Sequence, residues 1–160
     1  KMIYIEGNHE DRLNRYFYTD PTFMGTMDIR KDLKLDDRGF LWVPYRSYYY
    51  TDDIWFTHIT FNKRGPINGV DITRKAQAVT VKSVVFGHVH EQHLSHVHKE
   101  GQDHLQDTYC CGCFISKKED YVNGCITNYW RGVTILHSYK QGRYDVEAYS
   151  LGRMERIYND

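Results

Sequence analysis

Asn8, His9, His58, His88 and His90 are the residues of this chain whose types and surroundings can do chemistry. His88 and His90, one residue apart, follow Ser83-Val84-Val85-Phe86-Gly87, a short β-branched and aromatic run that ends at a glycine. Such a run is too short for a helix with its own core face and reads as a buried strand. Gly87 can adopt backbone angles closed to other residues, so a sharp turn is expected as the chain leaves the sheet. Both imidazoles then sit in a bend where they can face one point. Neutral imidazole is the commonest metal-binding side chain, and open α/β sheets place their sites beyond the carboxyl ends of strands. Two other runs end in the same way. Met2-Ile3-Tyr4-Ile5 leads through Glu6 to Gly7-Asn8-His9-Glu10, and Ile54-Trp55-Phe56-Thr57 leads to His58. Three strand ends that each carry an Asn or a His point to a metal site far more strongly than an isolated His-x-His does.

The elements that must position these residues alternate in type. Asp11 to about Tyr18 reads as a short helix that Pro21 stops. Thr26 or Asp28 is placed to cap a second helix through Leu33 and Leu35, closed by Gly39. Phe40 to Val43 and Tyr48 to Tyr50 read as strands or as a hairpin around Pro44. Asn62-Lys63-Arg64-Gly65-Pro66 is a turn cluster. Its Lys63 and Arg64 are either solvated loop charges or within reach of an anionic substrate near His58. A helix fits Asp71 to about Val81, with Ala76, Ala78 and Val79 packing, and gives a β-α-β order with the strand to Phe86. Gln92 to His98 and His104 to Tyr109 flank a loop containing Gly101 and read as a hairpin. His93, His96, His98 and His104 make a histidine-rich patch there, read as surface strand residues or as a minor metal site. Trp130 to His137 and Tyr144 to Tyr149 form a last hairpin around Gln141-Gly142.

With 160 residues the chain can build one domain with a core. Lys+Arg and Asp+Glu are both 21. That balance argues against a strong nonspecific grip on nucleic acid, which needs many neutralised phosphates, and leaves a local basic face open. Fourteen tyrosines and 15% aromatic residues fit either a thin core or a partner surface. No apolar run approaches membrane-spanning length, and no signal or lipidation motif is present, so a soluble, cytoplasmic protein without a membrane partner is expected. Cys110, Cys111, Cys113 and Cys125 lie close together. Adjacent strand residues face opposite ways, so Cys110 is expected apart from Cys111 and Cys113. Reduced core thiols are the expected reading, with a structural zinc shared with nearby histidines as the other.

Gly7-Asn8-His9-Glu10, His58 and Gly87-His88-Val89-His90, in this order, resemble the last three motifs of the calcineurin-like metallophosphoesterase family. Glu10-Asp11-Arg12-Leu13 continues the first motif in a way similar to phage- and prophage-encoded members, which implies the cytoplasm of a bacterial host. The resemblance covers roughly residues 1–137. It implies an α/β fold, a layered β-sandwich flanked by helices in four layers, with 22–50 as a possible insertion in a single domain. It also implies hydrolysis of a phosphorylated small molecule, a nucleotide or a nucleic acid by in-line attack of a water between two divalent ions (Mn, Fe, Zn or Ni). Carried over by position, Asn8, His58 and His88 would bind one metal and His90 the other. His9 would stabilise or protonate the leaving oxygen, and Glu10 would orient a neighbour or cap the helix. The family's earlier Asp-x-His and Gly-Asp-x-x-Asp motifs do not occur in these 160 residues. An N-terminal part carrying them is therefore expected to lie upstream or to be separately encoded. The alternative is a degenerate, non-catalytic structural or interaction module of the same fold. Ile59 stands where the family commonly has glycine, which implies less room beside His58. Cys110-Cys111-Gly112-Cys113 replaces an Asn-Pro-Gly-Ser-like turn and keeps only its glycine.

Overall fold

The computed structural model describes residues 1–115, 127–138 and 140–159. Its strands in the first half are β1 (Met2–Ile5), β2 (Phe40–Val43), β3 (Tyr49–Thr51), β4 (Ile54–Thr57), β5 (Phe61–Asn62) and β6 (Gly65–Pro66). Those that follow are β7 (Ser83–Phe86), β8 (Gln92–His98), β9 (Leu105–Cys111), β10 (Gly132–Ser138) and β11 (Tyr144–Ser150). The helices are α1 (Asn8–Thr19), α2 (Ile29–Asp32), α3 (Ile72–Val79) and α4 (Leu151–Tyr158). The fold is mixed α/β, and none of these helices is long and apolar enough to cross a membrane.

A five-stranded sheet in the order β3-β4-β7-β9-β8 forms the centre. β4, β7 and β9 run parallel, and the edge strands β3 and β8 are antiparallel to their neighbours. Alternation along the strands divides the core into two faces. Val84, Phe86 and Cys110 join Ile72, Ala76 and Ile67 under α3, whereas Ile54, Val85 and Tyr109 join Tyr144, Leu136 and Val146 under the β10–β11 hairpin. Helix, sheet and hairpin thus make three layers. Cys110 lies on the helix side and Cys111 packs on the hairpin side, the separation expected of strand neighbours. Burial pushes the Cys110 thiol up to about 12 and raises Cys111, so neither is a ready thiolate. Cys125 lies outside the described residues.

Several elements depart from the sequence expectations. α1 begins at Asn8 rather than Asp11, because the Gly7 carbonyl accepts the Asp11 N–H (3.1 Å) and Glu10 Oε2 accepts the Gly7 N–H (2.9 Å). That return bond is half of a capping box. It draws the first motif into the helix. Asp28 does cap α2, whose side-chain oxygen accepts the Lys31 N–H, but α2 is a single turn. No hairpin forms around Pro44: β2 pairs in parallel with β1, from Met2↔Phe40 to Ile5↔Val43, while β3 pairs with β4. α4 has no counterpart in the sequence reading, although Ser150 caps it. The histidines of β8 are divided by alternation, with His93 beside Glu91 and His96 on Asp107, and no group of three or more His, Cys, Asp or Glu among the described residues is placed to hold a metal.

α3 packs through Ile72, Thr73, Ala76 and Gln77, while Ala78 and Val79 are exposed. The face is turned by the polar seam beneath it, where Gln77 Nε2 donates to the Ser95 and Gln106 carbonyls and Gln106 Nε2 donates to Thr80 Oγ1. Ile72 is 1% exposed and Val79 44%. Ile72→Ala is expected to lower the unfolding free energy by about 3 kcal/mol, and Val79→Ala by less than about 0.5 kcal/mol. Denaturant titration of the two variants checks both values.

Candidate metal centre

Four chain segments meet at one end of the molecule because four strands stop there. Asn8 opens α1 three residues beyond the end of β1, His58 directly follows β4, and His88 and His90 follow β7 after Gly87. Tyr129, shortly before β10, closes the fourth side. Together Asn8, His9, Arg12, His58, His88 and His90 line a cavity of about 650 Å³, with Glu10, Val89 and Tyr129 completing the wall. The structure therefore brings all five sequence-selected residues into one cavity. Ile59 is fully buried and outside this lining, so its bulk takes no room beside His58.

Asn8, His58 and His88 form a tight triangle. His58 Nε2 lies 2.9 Å from Asn8 Oδ1 and 3.1 Å from His88 Nδ1, and His88 Nδ1 lies 3.2 Å from Asn8 Oδ1. Proton bookkeeping shows why this is unusual. An amide oxygen only accepts, and each neutral imidazole carries one proton on one of two nitrogens. With one proton inside the triangle, two lone pairs still face each other at about 3 Å; with two protons inside, two N–H groups do. No tautomer satisfies all three contacts. A cation at the centre would satisfy them at once. With metal–ligand bonds of about 2.1 Å, neighbouring donors of an octahedral ion lie ~3.0 Å apart and those of a tetrahedral ion ~3.4 Å apart. The observed spacing fits the octahedral face.

The electrostatics suit the same role. Burial, followed by the adjacent His88, pushes His58 down to about 4. Burial, followed by His90 and His9, lowers His88. Both rings are therefore neutral near pH 7, the form that ligates. Glu10 lines the cavity but is engaged elsewhere, accepting from the Gly7 N–H and from Tyr4 Oη at 3.2 Å. Burial first, and Glu10 second, push the Tyr4 phenol up to about 12.

Backbone geometry explains how these side chains reach one cavity. The turn is made by the histidines, not by Gly87: φ is +72° at His88 and +64° at His90, while Gly87 has no positive φ. The Val89 N–H donates to the Gly87 carbonyl at 2.9 Å, so His88 occupies the centre of a γ-turn. Left-handed non-glycine residues cost about 1–3 kcal/mol each and cluster at functional sites. His90 is fixed from outside. Its carbonyl accepts the Trp130 N–H at 2.9 Å and its ring meets Tyr129 edge-on at 4.7 Å. Gly112 makes this possible, since its φ is +75° and a Cβ there would lie 2.5 Å from the Trp130 carbonyl oxygen.

Sequence reasoning missed three residues. Arg12 is exposed, lines the cavity, and lies one helical turn from Asn8. Its signal was the i, i+4 spacing, visible only with the helix starting at Asn8. Glu6, 6% exposed, ties the site together by accepting from the Tyr45 N–H (2.9 Å) and Asn14 Nδ2 (3.1 Å). Burial raises its pKa despite these bonds. Tyr45, positioned by Glu6, meets the His58 ring edge-on at 6.0 Å. Lys63 and Arg64 do not reach this cavity; they line a separate one with Arg46.

Gly7 gives a direct test of how His58 is held. Its φ and ψ of −95° and 176° suit any residue, but a Cβ would lie 2.8 Å from Glu10 Oε2 and 3.1 Å from His58 Cε1. Gly7→Ala is expected to weaken Mn²⁺ binding about 10–100-fold, the usual cost of disturbing a ligand's support, as read by titration calorimetry. Unchanged affinity would mean that the close approach of Gly7 does not hold His58 for metal binding. The chain was compared with protein-family models, with curated proteins and with solved structures, and it matches none of them, so the chemistry of this cavity stands on its own side chains.

Proposed function

We propose that the chain carries the ligand-bearing half of a metal-dependent phosphoester hydrolase, in the manner of the calcineurin-like metallophosphoesterases and their layered fold. The observation that carries this is the Asn8–His58–His88 triangle, whose three contacts no arrangement of protons satisfies. Asn8 through Oδ1, His58 through Nε2 and His88 through Nδ1 would hold a divalent ion of the Mn, Fe or Ni kind, with zinc less suited to the octahedral spacing. When bound, such an ion neutralises phosphate oxygens and acidifies water. His90, on the same wall, would serve a second ion.

The chain's own residues supply the rest. His9 is exposed in the cavity and is not hydrogen-bonded among the described residues, so it is free to give a proton to the leaving oxygen. Arg12 projects from the same side of α1 as Asn8 and offers a cation to a phosphate oxygen. α1 itself begins at the cavity, and the N–H groups of a first helical turn favour an anion. The substrate class is a phosphomonoester, a nucleotide or a nucleic-acid phosphodiester.

One observation favours a second reading. Among the described residues Glu10 is the sole carboxylate lining the cavity, and it is engaged in capping. A carboxylate bridging two ions would have to come from beyond these lining residues. Without it, the site holds one ion and the protein is a non-catalytic module of the same fold.

The test uses the longest encoded protein that contains these 160 residues, with Mn²⁺ and an aryl phosphate. His88→Ala is expected to remove both bound metal and hydrolysis. His9→Ala is expected to keep the metal and lose about 10²–10⁴-fold in rate. Loss of metal in His9→Ala sinks its role as proton donor, and full metal binding with no hydrolysis selects the module.

A further inference from the structure

We propose that the cleft beside Tyr45 binds single-stranded nucleic acid and feeds that strand to the histidine cavity. The assignment of the cavity to phosphodiester cleavage rests on the hydrolase reading above; the binding itself does not. Arg46, Tyr48, Phe61, Asn62, Lys63 and Arg64 line a cavity of about 530 Å³. It contains three cations and no carboxylate. None of the three is ion-paired among the described residues, in a chain whose formal charges sum to zero. Clustered, unpaired cations on a neutral protein mark a place for anions.

The cleft is built, not merely charged. Arg46 is held at φ +68° and lays its guanidinium over Phe61 (5.2 Å) and Tyr45 (5.8 Å). Asn62 Oδ1 accepts the Arg64 N–H at 2.8 Å, which fixes the tip of the β5–β6 hairpin that carries Lys63 and Arg64. Cations interleaved with aromatic faces are the chemistry of single-strand binding: the cations take phosphates and the rings take bases. Duplex bases are already stacked on one another and offer such rings no face. A small phosphomonoester would need only the histidine cavity.

Tyr45 connects the two sites. Its ring meets His58 at 6.0 Å on one side and Phe61 at 5.8 Å on the other. The two cavities are thus separated by one aromatic ring, and His58 and Phe61 are at most about 12 Å apart, within about four stacked nucleotides at ~3.4 Å each. A strand lying across Tyr45 would put one phosphodiester against the histidines and its neighbours against Arg46, Lys63 and Arg64.

Fluorescence anisotropy with a labelled ten-residue oligothymidylate, in EDTA, reads binding without metal or cleavage. The triple variant Arg46→Ala, Lys63→Ala, Arg64→Ala is expected to lose at least about tenfold in affinity. Its salt dependence should flatten by about 2 in logarithmic slope, at ~0.7 per phosphate contact. Phe61→Leu, which keeps an apolar side chain, is expected to lose about fivefold or more through stacking alone. Thermal unfolding of the triple variant should match the parent, since the three cations are exposed. Because this binding is read in EDTA, its failure is distinct from a failure of aryl phosphate hydrolysis by the parent protein, which reports on the hydrolase reading. Unaltered oligothymidylate binding in the triple variant overturns the proposal, as does equally tight binding of a labelled oligoglutamate peptide.

Discussion

Three polar atoms held about 3 Å apart, with no set of protons able to satisfy them, is the constraint on which this molecule turns. Each unmet contact among partly buried polar groups costs about 1–3 kcal/mol, and the left-handed turns at His88 and His90 add strain of similar size. The three side chains start from backbone positions at the ends of elements that cannot move independently. β4 and β7 are neighbours in the sheet, and the Gly87 N–H donates to the His58 carbonyl at 3.1 Å, so His58 and His88 are registered by the backbone itself. Asn8 arrives from a separate strand pair, fixed by the Glu10 cap and by the bond from the Tyr45 N–H to Glu6.

The rigidity comes from the two core faces. Val84 and Phe86 are locked under α3, and Val85 under the β10–β11 hairpin, so β7 is buried along its whole length. A strand fixed on both faces delivers its carboxyl end to one place, which is why open sheets build sites there. Small residues then act as spacers. Gly7 lets the His58 ring close against α1, and Gly112 lets Trp130 reach the His90 carbonyl.

The strands and the ligand types were readable because both are local signals. Val84-Val85-Phe86 and Ile54-Trp55-Phe56 are short β-branched and aromatic runs, and their following residues carry the imidazoles. What was not readable depended on contacts distant in sequence. The parallel pairing of β1 with β2 spans α1 and α2, so of the two readings offered around Pro44, strands or a hairpin, only the strands form. Gly87 looked like the turn because glycine is the residue that most easily makes one. The strain falls instead on His88, since the sheet, not local preference, decides where the chain bends. Ala78 and Val79 looked like core because they are apolar, but α3 turns toward the polar side chains of Gln77 and Gln106, whose hydrogen bonds only the folded sheet supplies. Arg12 was hidden by a boundary placed three residues late.

The charge state of the donor set bears on what the cavity does. Carboxylate ligands bind a divalent ion tightly and also cancel its charge. Here the two carboxylates at hand, Glu6 and Glu10, are turned to backbone N–H groups, and the donors that converge are an amide oxygen and two imidazoles held neutral by burial. On the proposed reading, an ion held by such a set would keep its full double charge, with Arg12 adding another at the rim. It would bind weakly alone and would strongly attract an anion that bridges metal and guanidinium, as a phosphate does. Ion and anionic substrate would then each tighten the other by the same factor. A structural metal site closes its coordination shell with protein ligands; on the proposed reading, three neutral donors in an open cavity would leave coordination positions for a substrate.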